Sequence, residues 1–305
     1  MGVATESAAE PGGTRSLAPA RGRALSGYLY LLPYLILFGV FLVLPLLYGL
    51  GLSLFRWDML STVPARFIGT GNYSEALGSA YFWKALGATF RFVVMAVPLT
   101  ILLGLLIAVG IEAVPVRRQA LYRAAYFLPT LITVTVAGLL WRWFFNSEFG
   151  LFNALLAPLG IKVPWLTDTA WAMRSVVIMT LWWTVGGPVV IFLAGLQQIP
   201  SHYHEAAALD GANGWQRFRH ITLPLLRPVM VFVVIMNVIG AFQVFGQTFM
   251  ITQGGPELST RVLVQYIYET AFNNYRMGYA AAMSWLLFAL IAGFSLAQVR
   301  LLRER

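Results

Sequence analysis

Cysteine is absent from the 305 residues, which excludes disulfides, thiolate metal sites, haem attachment and thiol nucleophiles together. Charge is scarce: 11% of residues are Asp, Glu, Lys or Arg, against about 25% in a soluble domain. Lysine occurs only at Lys84 and Lys162, and neither follows a glycine. The chain therefore lacks the Gly-x-x-x-x-Gly-Lys-Ser/Thr loop that cradles nucleotide phosphates, and it is not itself an ATPase. No Gly-x-Ser-x-Gly elbow and no His-Glu-x-x-His helix occurs. His202, His204 and His220 share one connection, but with only Glu205 and Asp210 nearby they read as solvated or interface histidines, not a metal site. No catalytic constellation is expected. No Asp, Glu, Lys or His lies at the centre of a long apolar block, which argues against an ion-coupled secondary transporter. A Na⁺ site of backbone carbonyls stays open at this point.

What is present is apolar: 59% of the residues, with 10 Trp, 13 Tyr and 21 Phe. The apolar residues come in blocks long enough to cross a bilayer, at 28–55, 90–111, 124–145, 171–196, 228–252 and 277–299. The fold class expected is an all-α integral membrane protein with about six transmembrane helices. Prolines at Pro33, Pro45, Pro98, Pro129 and Pro188 predict kinks. Residues 1–26, rich in Ala, Gly, Ser and Pro, read as a disordered cytosolic tail rather than a cleaved signal. Residues 27–66 hold the first span and the start of an outer loop. The +9 formal charge comes from basic residues spread along the whole chain, mostly flanking the apolar blocks, and does not suggest nucleic acid; Arg117, Arg118, Arg123, Arg217, Arg219 and Arg227 fall on the side of both termini, which assigns that side to the cytosol. The expected location is a bacterial-type cell membrane, crossed several times. The outer connections are too short for a ligand-capturing domain, so capture falls to another polypeptide.

The cytosolic loop 199–227, between spans four and five, is the most informative segment. Pro200 stops one helix, Ser201 is placed to cap a second, and Asp210-Gly211 ends it. A further amphipathic helix follows, with Trp215, Phe218 and Ile221 on one face. Glu205-Ala206-Ala207, three residues, Gly211, nine residues, Ile221, one residue, then Leu223-Pro224 resembles the EAA motif of binding-protein-dependent ABC importer permeases. The resemblance covers about 67–305, read as one permease domain, and is closest to the carbohydrate-importing branch. It includes Phe67-Ile68-Gly69-x-x-Asn72-Tyr73, Tyr122-Arg123, Phe127-Leu128-Pro129, Trp141-x-Trp143-Phe144-Phe145-Asn146, Phe149-Gly150, Asn153, Phe192-Leu193-Ala194-Gly195-Leu196 and Gly254-Gly255-Pro256. The large periplasmic insertion and extra N-terminal spans of the maltose-type member are absent.

That resemblance implies a permease subunit importing a di- or oligosaccharide, with glycerol 3-phosphate or another polyol derivative as the alternative. It implies a second, non-identical permease subunit, two ATP-binding subunits that hold the ATP and Mg, and an extracytoplasmic binding protein. Glu205, Ala206, Ala207, Ala208, Leu209, Asp210 and Gly211 would form the coupling helix that docks on the ATP-binding subunit. For the solute pathway, Gln243 and Gln247 are four apart and share a helical face with Gly240, while Asn237 sits about 120° from Gln243. Trp182 and Trp183 offer aromatic faces. The competing reading of these amides is hydrogen bonding between spans.

Overall fold

The computed structural model describes residues 21–60 and 64–303, with side chains from 30 to 300. Most of the expected tail, residues 1–20, lies outside the described residues. Residues 21–26 are helical, contrary to the expectation of disorder. Arg, Ala and Leu are good helix formers and this stretch runs without a break into the apolar block.

Two units divide at Gly49 and Leu50. The described residues of the first are helical, and nearly all their large apolar side chains from Tyr30 to Tyr48 stay exposed. Three helices are long and apolar enough to cross a membrane, Tyr30–Ser53, Ala80–Glu112 and Met277–Arg300, and three bent pairs make six crossings if each pair is one span. The pairs are Val116–Leu131 with Val134–Phe144 at 94°, Thr169–Thr184 with Gly186–Gln197 at 48°, and Gly214–Leu225 with Arg227–Phe242 at 66°.

The bends follow the prolines only in part. Pro98 lies inside the unbroken Ala80–Glu112 helix. Pro129 sits in the turn Leu128–Leu131, after which the Thr133 side chain accepts from the Val136 amide and restarts the helix. The expected continuous helix over 228–252 instead stops at Phe242 and resumes as Gly246–Ile251, with no proline at the break. Packing accounts for it. A Cβ on Gly138 would lie 2.5 Å from Met250 Cβ, and one on Gly246 would lie 2.9 Å from Val134 Cγ1. The two short helices thus approach more closely than side chains allow, as small residues permit between membrane helices.

On one side the connections form a bonded apron. Asn72 is buried and its Nδ2 donates to the Ser53 and Phe55 carbonyls at 2.8 and 2.9 Å, capping the end of the first span. Ser53 Oγ and Tyr73 Oη lie 2.7 Å apart. Arg276 pairs with Glu75, and the hydrogen bond that the guanidinium donates to that carboxylate raises its pKa above the ordinary value. Asn153, buried, holds the Val163 amide and carbonyl and the Trp165 indole N–H at 3.0 to 3.1 Å. The motif residues Asn72, Tyr73 and Asn153 therefore shape this surface.

Candidate functional site

Two features stand out: a helix with no buried residue, and a cavity among the spans with Thr, Asn and Gln in its lining. The helix is Ser201–Leu209, which contains no buried residue, and Leu209 is 90% exposed. Pro200, in extended conformation, occupies the capping position, so Ser201 is the first helical residue and not the cap expected from sequence. At the other end Gly211 adopts φ +82°. Its N–H donates to the Ala208 carbonyl at 3.1 Å and the Ala212 N–H donates to Ala207 at 2.9 Å, the paired bonds of a Schellman stop that only glycine adopts without strain. The side chains of Glu205 and Asp210 make no ion pair among the described residues.

The next helix begins at Gly214, and Asn213 and Gln216 form a reciprocal capping box. That cap was legible as Asn-x-x-Gln but was not singled out. Phe218 then packs on the core while Trp215 stays 66% exposed. Trp215 and Phe218 share a face, their rings 5.7 Å apart, and a five-residue π turn, Phe218–Thr222, shifts Ile221 off it relative to a regular helix.

The cavity, about 170 Å³, is walled by spans two, four and five. Phe92, Ala96 and Thr100 repeat every four residues on one face of the Ala80–Glu112 helix, and Thr180 and Thr184 do so in the last turns of Thr169–Thr184. Asn237, Gly240, Ala241 and Val244 come from the fifth span, and Gln247 from the short helix beyond the break. Small residues at 96, 240 and 241 leave the space; Thr, Asn and Gln supply its polarity. Asn237 Nδ2 donates to the Val233 carbonyl at 2.8 Å, which leaves its Oδ1 as a free acceptor. Among the described residues, no charged one lines the space.

This geometry revises the helical-wheel reading of the amides. Gln243 and Gln247 do not share a face, because the helix ends at Phe242 and the break at 243–245 resets its phase. Gln247 and Asn237 meet at the cavity, and Gln243 is exposed away from it. Trp182 lies 5.5 Å from the Trp141 ring, and Trp183 Nε1 donates to the Ile132 carbonyl at 2.9 Å. Both indoles belong to the packed aromatic cluster and neither lines the cavity.

Residues 89–304 match the family model described as "Binding-protein-dependent transport system inner membrane component". The chain is 38% identical over 273 residues to the probable ABC transporter permease protein YesP of Bacillus subtilis (strain 168), covering 88% of this chain and 87% of that one. It is 34% identical over 288 residues to the lactose transport system permease protein LacF of Rhizobium radiobacter, covering 92% and 95%. A solved bacterial ABC transporter involved in import of the acidic polysaccharide alginate has a similar fold, with a TM-score of 0.80 at 23% identity over 93% of this chain and 96% of that one.

Proposed function

The chain belongs to the family of binding-protein-dependent transport system inner membrane components, and from that membership we propose that it forms one half of the pathway by which an ABC importer takes up an uncharged sugar. A second, non-identical permease subunit forms the other half. Two ATP-binding subunits hold the nucleotide and Mg, and an extracytoplasmic protein delivers the solute. The observation that carries this reading is the Ser201–Leu209 helix, which carries the Glu-Ala-Ala motif and has no buried residue. An apolar-tipped helix left bare by its own fold is suited to a protein cleft.

Both termini and this helix face the cytosol of a bacterial-type cell. ATP binding draws the loops of the two permease subunits together, and the spans open outward to receive solute; release of the nucleotide products reverses the motion. The chain makes and breaks no covalent bond. It links two sites by contacts that differ between two global states.

The cavity's lining favours a neutral polyol over the alternatives. A glycerol phosphate would call for a cation within reach, and an ion-coupled carrier for a carboxylate; the lining holds neither. Hydroxyl and amide groups beside Phe92 suit sugar hydroxyls and a sugar's apolar face. Asn237→Ala and Gln247→Ala are each expected to slow sugar uptake by about two- to tenfold, the effect of one lost hydrogen bond. Basal ATP hydrolysis stays unchanged, and Gln243→Ala serves as the control that leaves uptake intact. Uptake by reconstituted complexes at matched assembly checks this; unchanged kinetics in both cavity variants contradict it.

A further inference from the structure

We propose that Glu112 and Arg217 form an ion pair that closes a second cavity in one state of the transport cycle, which makes them positioning residues for the Ser201–Leu209 helix. The inference rests on the reading of that helix as the coupling element. The cavity holds about 600 Å³ and lies where the loop meets the ends of spans two and four, with Val109, Glu112, Leu196, His204, Arg217 and Phe218 among its walls.

Glu112 is the last residue of a 33-residue helix, where the carbonyl ends of the helix make a carboxylate unfavourable unless a cation joins it. Its side chain has no partner among the described residues. Across the same void, the Arg217 Nε is buried and makes no hydrogen bond, a condition that proteins seldom leave standing. Two opposite charges thus face one space without meeting. His204, on the coupling helix itself, is the other titratable group in the lining.

The first helix of the loop contributes no buried residue, while the second is anchored on the core through Phe218 and ends in the 66° bend before Arg227–Phe242, the point about which the loop would swing. Approach of the loop to the end of span two would neutralise both groups and carry the coupling helix with it.

In the assembled complex, Glu112→Arg and Arg217→Glu are each expected to lower solute-stimulated ATP hydrolysis by about tenfold, and E112R/R217E to recover to within about threefold of the starting protein. A direct readout uses spin labels at Ala113→Cys and Gly214→Cys, both exposed on the cavity wall, in a chain with no cysteine of its own. The expected result is two distances, one in the nucleotide-free complex and a different one in the vanadate-trapped complex, with the shorter one lost in Glu112→Gln. A distance unchanged between the states, or a double variant no better than either single one, overturns the ion pair. Failure of the swap while Glu205→Lys still abolishes stimulation refutes only the pair; normal stimulation in Glu205→Lys refutes the coupling reading beneath it.

Discussion

Glu205→Lys and Gly211→Val are each expected to cut solute-stimulated ATP hydrolysis by about 10- to 100-fold, the span of ordinary coupling free energies of ~1–3 kcal/mol, while the chain still inserts and assembles. Glu205 is exposed and makes no ion pair among the described residues, so reversing its charge removes no contact seen there. Its effect would arise on the proposed docking surface. Gly211 differs in kind. Nothing lies within 4 Å of a Cβ placed there, so crowding is not the obstacle. The obstacle is φ +82°, which a β-branched residue reaches only at a cost of roughly 1–2 kcal/mol or more. Losing that turn unwinds the Schellman stop and reorients the helix. Gly211→Ala should fall between the two. ATP hydrolysis in nanodiscs, with and without loaded binding protein, measures the effect; normal stimulation in both variants would sink the docking role.

The second large effect concerns adjacent glycines at the bend of the fourth span. A Cβ on Gly186 would run into the Tyr126 carbonyl oxygen and lie 2.8 Å from Phe127 Cα, whereas one on Gly187 meets nothing within 4 Å. Backbone cannot swing aside as a side-chain tip can, and overpacking of this kind costs about 1–3 kcal/mol and at times more. Gly186→Ala is expected to lower the Tm of the purified complex by about 5 °C or more, and Gly187→Ala to leave it level or slightly raised. Equal Tm values for the two variants would mean that the third and fourth spans do not pack as described.

Six apolar blocks were legible because hydrocarbon demands long uninterrupted runs, and residue order alone supplies them. The breaks were not. Proline marks a missing hydrogen bond, yet Pro98 rides inside an unbroken helix while the fifth span breaks without one. What decides is the close approach of Gly138 to Met250 and of Gly246 to Val134, contacts more than 100 positions apart. The same blindness misplaced Gln243: a wheel drawn through 237–247 assumes one helix, and a three-residue break turns Gln247 toward Asn237 instead. Local signals fared better where local geometry settles the outcome. Gly211 ends its helix because no other residue takes that backbone conformation freely, and the stop stands where the sequence puts it. Glu112 and Arg217 offered no such cue, since neither sits in a recognisable spacing with the other.

If the Ser201–Leu209 helix is the chain's contact with its energy source, a photo-crosslinking residue at position 208 reports it. Illumination of the assembled importer in native membranes is predicted to join this chain to the ATP-binding subunit, while a cysteine at position 208 resists membrane-impermeant reagent added outside. An adduct-free chain in the assembled complex, or labelling of that cysteine from outside, would contradict it.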